Sequence, residues 1–214
     1  MATLYLVRHG QTDWNAESRW QGERDLPLNE QGLRQAEAVA GAFKAVRVDR
    51  VFSSDLRRAR DTAAVLAQAT GAPHVVLPSL RERAFGRWEG RTNEEILREY
   101  PDEMAQCQKD RDLFTPPGGQ SWADFAPTAA RAVETIGVDH TDEQLAIVAH
   151  GGPFRAFINH VLGIERGPLN QFVLDNGSIS TVVRREHRVT GRVWWQITAL
   201  NITCHLNDGR RLSG

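Results

Sequence analysis

The sequence predicts an α/β fold, a three-layer sandwich in which a mostly parallel central sheet carries helices on both faces. Short apolar segments rich in β-branched residues alternate along the chain with longer segments whose apolar residues recur at helical spacing. The clearest short segment, residues 145–149, has only apolar side chains, which is typical of a strand covered on both faces. The chain has 214 residues, of which 41% are hydrophobic and 25% charged, close to an average globular protein.

The first half of the chain predicts three strands separated by two helices. The first strand, 3–7, runs directly into a polar, glycine-containing segment that marks its end. The helix at 32–45 has its apolar residues at helical spacing, namely Leu33, Ala36, Val39, Ala40 and Phe43. The remaining elements are, in order, strand 51–54, helix 57–70, which Gly71 closes, and strand 74–77.

The second half begins with a polar, helix-prone segment at 92–109 and a proline- and glycine-rich loop at 115–121. Ser121 is a suitable N-cap for a helix that extends through Ile136. Pro127 lies inside this helix, so we expect a kink or a later helix start. The remaining elements are, in order, strand 145–149, a helix at 153–162 with Pro153 in its first turn, and strands 181–183 and 193–200.

Charge and composition exclude several classes of protein. The net charge of −1 provides no general attraction to nucleic acid or to an anionic membrane, so we expect neither as a partner. No apolar run approaches the ~20 residues that cross a bilayer, and the first residues lack the pattern of a secretory signal. Cys107 and Cys204 are too few for a disulfide framework or a cysteine-rich zinc site. We therefore expect a cytoplasmic protein with reduced thiols and a single domain over 1–214.

Polar clusters follow three of the predicted strands. They are Arg8-His9-Gly10, Ser53-Ser54 with Arg57 and Arg58, and His150-Gly151-Gly152. Because ligands of such sheets bind beyond the carboxyl ends of the strands, we expect these clusters to meet. Arginine offers a rigid fork of donors that fits phosphate oxygens, and a neutral imidazole can act as a nucleophile. The sequence thus predicts an anion site that contains histidine.

Two histidines could instead belong to a metal site. We expect no metal, because neither His9 nor His150 has a Cys, Asp or Glu nearby at ligand spacing, and the neighbouring arginines would repel a cation. The chain also lacks the G-x-x-x-x-G-K-[ST] loop of many nucleotide-binding enzymes and the G-x-S-x-G turn of common serine hydrolases.

Seven blocks of sequence, in a fixed order within residues 4–180, resemble the histidine phosphatase superfamily, also called the phosphoglycerate mutase-like family. They are LVRHGQTDWN (6–15), WQGERDLPLNEQG (20–32), SSDLRRARDTA (53–63), LRERAFGRWEG (80–90), PPGGQS (116–121), IVAHGG (147–152) and DNGSIS (175–180). An isolated R-H-G would be a weak signal, whereas the ordered set is specific. The resemblance implies a phosphoglycerate mutase-like fold, phosphoryl chemistry that needs neither a metal nor an organic cofactor, and a lid or insertion over the site at about 83–125.

The resemblance also implies roles for individual residues. His9 matches the histidine that becomes phosphorylated. Arg8, Arg58 and His150 match the groups that hold the phosphoryl group. Glu82 matches the acid that gives a proton to the leaving oxygen. The residues expected to bind substrate are Asn15, Gln21, Gly22, Arg83 and Gly151.

Electrostatics give further expectations for these roles. Two arginines and a protonated His150 would supply positive charge for the transferring phosphoryl group. The same arginines favour a neutral His9, because its cationic form would be repelled. A backbone carbonyl is expected to hold the second ring nitrogen of His9 and so fix its tautomer. Glu82 has four arginines near it in sequence, and this basic patch is either surface charge or a site for an anionic part of the substrate: Arg81, Arg83, Arg87 and Arg91.

Three functions stay open at this point. They are a phosphatase for small phosphomonoesters, a 2,3-bisphosphoglycerate-dependent phosphoglycerate mutase, and a phosphate-binding module without catalysis. The intact set of His9 and its partners opposes the third. Mutases of this family carry a longer insertion with a paired arginine, which the stretch 104–114 lacks, although Arg83 follows Glu82 as in mutases. The sequence therefore favours a phosphatase for a small phosphorylated metabolite, and a homodimer would be typical of the family.

Overall fold

The computed structural model describes residues 1–164 and 172–206, which contain a mixed six-stranded sheet. Its strands are β1 (Thr3–Arg8), β2 (Arg50–Ser53), β3 (His74–Val76), β4 (Gln144–Ala149), β5 (Ile179–Glu186) and β6 (Val193–Ile202). They lie in the order β3-β2-β4-β1-β5-β6. The first four in that order are mutually parallel, whereas β5 and β6 add an antiparallel edge. The predicted, mostly parallel sheet is confirmed.

Helices connect the strands and cover the sheet. Over the described ranges they are α1 (Asp13–Ala16), α2 (Glu30–Ala42), α3 (Arg57–Thr70), α4 (Asn93–Glu99), α5 (Pro101–Lys109), α6 (Trp122–Asp139) and α7 (Gly151–Val161). The bounds predicted for α3 are confirmed, and Gly71 ends it with a left-handed φ of 70°. None of these helices combines the length and apolar character that crossing a bilayer requires.

Helix α2 begins two residues before its predicted start. The side chain of Asn29 accepts a hydrogen bond from the Gly32 backbone N–H at 2.9 Å, which caps the helix at that point. Leu33 is 52% exposed, so the expectation that it belongs to the buried face is wrong. The other four apolar positions expected on that face are buried: Ala36, Val39, Ala40 and Phe43.

Pro127 led us to expect either a kink in helix α6 or a late start, and the structure excludes the late start. It begins directly after Ser121, whose hydroxyl oxygen accepts the backbone N–H of Asp124 at 3.0 Å. The helix then continues through Pro127, which removes a single N–H donor from its second turn. The cap at Ser121 therefore decides where the helix begins.

Helix α7 also begins earlier than predicted, at Gly151 instead of Pro153. His150 becomes its N-cap residue, directly after the end of β4. The backbone N–H groups of the first turn are therefore presented at the edge of the sheet, beside the side chain of His150.

The apolar core lies on both faces of the sheet, which confirms the three layers. Successive side chains of a strand point to opposite faces. Leu4 and Leu6 of β1 pack with Phe157 of α7 on one face. Val7 of the same strand packs with Leu66 of α3 on the other face. Helices α6 and α7 cover the first face, and α2 and α3 cover the second.

The parallel register aligns the carboxyl ends of the three strands that carry the polar clusters. Arg8 of β1 lies opposite Ala149 of β4, and Ser53 of β2 lies opposite Val148. The residues that follow these strands therefore meet at one edge of the sheet, as the sequence predicts.

The chain between β3 and α6 folds over this edge as two 3₁₀ turns, Pro78–Leu80 and Gly86–Trp88, followed by α4 and α5. It has its own apolar cluster, in which Phe85, Trp88 and Ile96 are buried. The lid or insertion at about 83–125 stays a prediction. So does the single domain over 1–214, since 165–171 and 207–214 lie outside the described residues.

Candidate active site

A cavity of about 350 Å³ lies beyond the carboxyl ends of β1, β2 and β4. His150 does not line it but packs against His9, with the two ring centroids 5.1 Å apart. The other nine residues predicted for the site all line the cavity: Arg8, His9, Asn15, Gln21, Gly22, Arg58, Glu82, Arg83 and Gly151.

The His9 ring is held in one tautomer. Its Nδ1 lies 2.7 Å from the carbonyl oxygen of Gly10, so this nitrogen carries the proton and donates it. The Nε2 atom is left with a lone pair, which faces the Arg58 Nε donor at 3.3 Å. Burial, Arg58 and Arg8 all hold the pKa of His9 well below its usual range. The predicted neutral imidazole and its backbone carbonyl partner are both confirmed.

The Arg58 guanidinium is fixed by the main chain. It donates to the carbonyl oxygens of Arg24 at 2.7 Å and Gly22 at 2.8 Å. Only 1% of Arg58 is exposed, and this burial lowers its pKa to about 10, while the nearby Glu82 carboxylate opposes the shift. Arg58 therefore stays cationic at neutral pH. Gly22 acts here through its carbonyl, which orients Arg58.

Glu89, which was not among the site residues predicted from sequence, fixes the loop that supplies those carbonyls. Its Oε1 accepts the backbone N–H of Phe85 at 3.1 Å and of Glu23 at 3.3 Å, and its Oε2 pairs with Arg24 at 2.9 Å. Gly22 has a φ of +55°, and a Cβ there would lie 2.1 Å from Glu89 Oε1. The glycine thus permits the close approach of the carboxylate that ties the loop down.

Arg8 supplies the second guanidinium beside His9. It donates to the carbonyl oxygen of Leu174, and its Nε has no partner among the described residues. Burial lowers its pKa, Glu82 raises it, and Arg155 lowers it further. The positive charge of the site is therefore concentrated in a part of the protein that is shielded from water.

His150 differs from the expectation that it is protonated. The residue is fully buried, and neither ring nitrogen has a hydrogen-bond partner among the described residues. Burial, Arg58, His9 and Arg8 hold its pKa well below the usual range. The expectation of a cationic His150 is wrong for this site, because the two arginines already supply the charge. A neutral His150 offers one N–H donor instead.

Glu82 lies at the centre of the electrostatics of the cavity. Its Oε1 accepts the backbone N–H of Arg83 at 2.9 Å, and its Oε2 accepts that of Gly152 at 3.1 Å. A Cβ at residue 152 would lie 2.0 Å from Oε1, so the glycine leaves room for the carboxylate. The Glu82 carboxylate opposes the lowering of the pKa by burial at four guanidinium groups: Arg8, Arg58, Arg83 and Arg155.

The predicted basic patch separates into two kinds of arginine. Arg81, Arg87 and Arg91 are partly exposed and form ion pairs with surface carboxylates. Arg83 is instead 8% exposed, and its Nη1 has no partner among the described residues. Its guanidinium lies 4.5 Å from the centre of the Phe85 ring, and burial lowers its pKa. Of the four, Arg83 is the arginine that lines the cavity.

Two further residues were missed by the sequence analysis. Arg155 lines the cavity one helical turn after Gly151, and its Nε has no partner among the described residues. The i,i+4 spacing from Gly151 was the signal that could have found it. Asn176 donates to the carbonyl oxygen of His9 at 3.0 Å and to Oδ1 of Asn15 at 3.3 Å. It belongs to the DNGSIS block, so its position in that block was a usable signal.

Unpaired buried polar atoms are concentrated at this cavity. Among the described residues, six buried side-chain nitrogen and oxygen atoms have no hydrogen-bond partner, and all belong to residues in or against the cavity. Such an atom costs about 1–3 kcal/mol, so a ligand rich in acceptor oxygens gains from entering. The atoms belong to Arg8, Gln21, Arg83, His150 and Arg155. Within residues 1–164 and 172–206, no group of three or more His, Cys, Asp or Glu side chains is placed to hold a metal ion.

The sequence-family model of the histidine phosphatase superfamily, branch 1, matches residues 4–197 of this chain. This chain belongs to that superfamily. Phosphoserine phosphatase 1 of Hydrogenobacter thermophilus is 30% identical over 208 residues, which cover 97% of this chain and 96% of that protein. The metal-independent phosphoserine phosphatase of Arabidopsis thaliana is 35% identical, over 96% of this chain and 86% of that protein.

Solved structures of the superfamily share the fold. A phosphoserine phosphatase variant of Entamoeba histolytica in complex with phosphoserine superposes with a TM-score of 0.82 and 29% identity, over 97% of this chain and all of that one. Among the relatives found by sequence, phosphoglycerate mutase-like protein 4 of Arabidopsis thaliana is 32% identical, over 97% of this chain and 91% of that protein. The phosphoglycerate mutase-like fold is confirmed, and the chain is a phosphatase of the histidine type. The mutase alternative has no better support.

Proposed function

We propose that this phosphatase hydrolyses small phosphomonoesters in two steps, through a phosphohistidine formed on Nε2 of His9. One observation carries the proposal. The Gly10 carbonyl oxygen accepts a hydrogen bond from the Nδ1–H group, so the proton stays on Nδ1 and a lone pair remains on Nε2 within a cavity lined by guanidinium groups. A buried, neutral and oriented imidazole of this kind is suited to attack phosphorus.

In the first step the phosphoryl oxygens accept hydrogen bonds from Arg8, Arg58 and the single N–H of His150. Nε2 of His9 then forms a bond to phosphorus while the ester P–O bond breaks. Glu82, protonated at this stage, gives its proton to the departing alkoxide oxygen. The fixed guanidinium groups compensate the charge on the equatorial oxygens, where phosphoryl transfer needs it.

In the second step water attacks the phosphohistidine. The Glu82 carboxylate takes a proton from that water, the N–P bond breaks, and inorganic phosphate leaves. Glu82 is thereby protonated again and His9 is neutral. The backbone N–H groups of Arg83 and Gly152 donate to Glu82 and keep its carboxylate in place for both steps.

The substrate we propose is a small phosphorylated metabolite with a carboxylate near the ester. The unpaired Nη1 of Arg83 supports this choice, since guanidinium and carboxylate form strong hydrogen-bonded pairs. The relatives named as phosphoserine phosphatases agree with it. Asn15, Gln21 and Gly151 line the same cavity and would contact the organic part. The absence of nucleic-acid and membrane partners, a homodimer and a cytoplasmic location stay predictions.

A screen of phosphorylated metabolites in the presence of a chelator tests the function. We expect release of inorganic phosphate from phosphoserine or a similar hydroxy-acid phosphate at rates well above those for nucleotides. A parallel reaction with labelled 2,3-bisphosphoglycerate and 3-phosphoglycerate tests the mutase. If label appears in 2-phosphoglycerate faster than in inorganic phosphate, the protein is a mutase and not a phosphatase. No release from any ester would leave the phosphate-binding module.

A further inference from the structure

A second cavity, of about 380 Å³, lies beside the catalytic one. Helices α4 and α5 and the segment at 111–116 form its walls. Its apolar lining consists of Trp88, Leu97, Met104, Cys107, Phe114 and Pro116, and we call it the side chamber. Glu94, Gln108 and Arg111 are exposed and form its polar rim.

The side chamber adjoins the catalytic cavity. Trp20, Arg83 and Asn93 line both. Arg83 therefore lies at the boundary of the two cavities, with its guanidinium 4.5 Å from the centre of the Phe85 ring. The chamber is therefore the neighbouring cavity that a group attached to the alcohol part of a substrate would reach beyond Arg83.

The floor of the chamber is formed by side chains that are already fixed. Trp88 is 2% exposed and stacks on Phe114, with ring centroids 5.1 Å apart. Its indole Nε1 donates to Glu103 of α5 at 2.8 Å, which holds the helix against the ring. An apolar group that enters would meet a preformed surface, so little ordering opposes its binding.

We propose that the side chamber binds an apolar extension of the alcohol part of the substrate. The inference rests on the phosphatase function proposed above and refines its substrate class. Of the unpaired buried side-chain atoms found among the described residues, Arg83 Nη1 is the one on a residue that lines the chamber, and Arg83 lies at the boundary with the catalytic cavity. The interior therefore favours hydrocarbon over polar groups.

A series of 4-alkylphenyl phosphates from phenyl to 4-butylphenyl tests the proposal. The alkyl chain hardly changes the acidity of the leaving phenol, so differences in kcat/KM report binding of the chain. Each methylene that leaves water should raise kcat/KM about threefold to fourfold. Equal kcat/KM values along the series would overturn the side chamber while leaving the phosphatase function intact.

A matched pair of variants on α5 localises the effect. Cys107 lines the chamber, whereas Ala105 is exposed on the same helix. In Cys107→Trp the ratio of kcat/KM for the butylphenyl and phenyl esters should fall to about 1. In Ala105→Trp the ratio should stay at the wild-type value. A ratio that is unchanged in Cys107→Trp places the alkyl chain elsewhere.

Labelling of Cys107 gives a readout that does not depend on turnover or on a bulky substitution. Cys204 is exposed, so the Cys204→Ser protein leaves Cys107 as its single thiol. Burial raises the pKa of Cys107, so alkylation is followed at mildly alkaline pH. We expect 4-butylphenyl phosphate to slow alkylation at least fivefold more than phenyl phosphate at equal concentration. Equal protection of Cys107 by the two esters would refute binding of the alkyl chain in the side chamber, whether or not either ester is hydrolysed. A lack of hydrolysis without equal protection would refute only the phosphatase function.

Discussion

The two ends of the catalytic cavity are built in different ways. At the inner end, backbone groups hold the side chains: carbonyl oxygens orient His9 and Arg58, and two backbone N–H groups hold Glu82. At the outer end, Arg83 rests on the rings of Phe85 and Trp122, and its Nη1 has no partner in the described part of the chain.

We expect this difference to separate the chemical step from substrate selectivity. Groups fixed by the main chain need no reorganisation when charge develops in the transition state. A guanidinium held mainly by ring contacts can adjust to the organic part of the substrate. Changes at the inner end should therefore alter the chemical step for every ester, and changes at the outer end should alter KM for particular esters.

Among the substitutions that leave His9 in place, the largest effect is expected at Glu82. Glu82→Gln removes the proposed proton donor. The serine alkoxide of phosphoserine is a poor leaving group, so turnover of phosphoserine should fall about 10²–10⁴-fold. p-Nitrophenyl phosphate needs little proton donation and should lose far less. Gly152→Ala should show the same preference, because a Cβ there displaces the carboxylate. Equal losses on both esters, measured as kcat, would remove Glu82 from the acid role.

Glu89 acts on the inner end through the loop at 22–24. Glu89→Gln keeps an oxygen acceptor but loses the charge that pairs with Arg24, so Arg58 loses its fixed position. We expect kcat/KM to fall about tenfold to a hundredfold for both esters alike, with weaker inhibition by phosphate. Glu30→Gln, an exposed carboxylate on α2, is the control. A change in leaving-group preference instead would assign Glu89 a different role.

The buried histidines of the inner end make stability depend on pH. Folding lowers the pKa values of His9 and His150. In the unfolded chain each histidine has a pKa of about 6.5, so below this pH the unfolded chain binds more protons than the folded protein. Stability is therefore full above this pH and falls as the pH drops. Each histidine should cost about 1 kcal/mol between pH 6.5 and 5.5. Urea unfolding of wild type and His150→Gln measures this, and identical pH slopes would show that His150 does not titrate as stated.

The smallest effect on turnover is expected at the outer end. Arg83→Met should raise KM about tenfold for phosphoserine and leave KM for phosphoethanolamine, which lacks the carboxylate, unchanged. The value of kcat should stay near wild type, because the backbone N–H that holds Glu82 is retained. Arg91→Met, from the ion-paired part of the basic patch, is the matched control. An unchanged KM for phosphoserine would return Arg83 to a packing role.

The inner end was largely predictable from sequence. Apolar strands followed by Arg8-His9, Arg58 and His150 give the anion site, because parallel strands bring their carboxyl ends together. The protonation of His150 was not predictable, since it depends on complete burial between two arginines. The start of α7 was missed because Pro153 is compatible with several positions of a first turn.

The outer end depends on contacts that sequence spacing does not contain. Whether an arginine of the basic patch is paired or free is decided by distant carboxylates, as for Arg81 with Asp55 and Arg87 with Glu103. Glu89 was missed for the same reason, because its partners at 23 and 24 lie more than sixty residues away. Local patterns cannot report such pairings.

Rapid quenching during turnover tests the central claim most directly. Wild-type protein mixed with labelled substrate and quenched in alkali should yield an acid-labile phosphoryl group in the peptide that contains His9. His9→Ala should show neither the label nor turnover, whereas His160→Ala, an exposed histidine on α7, should behave as wild type. Label on any other residue, or full hydrolysis by His9→Ala, would contradict the account.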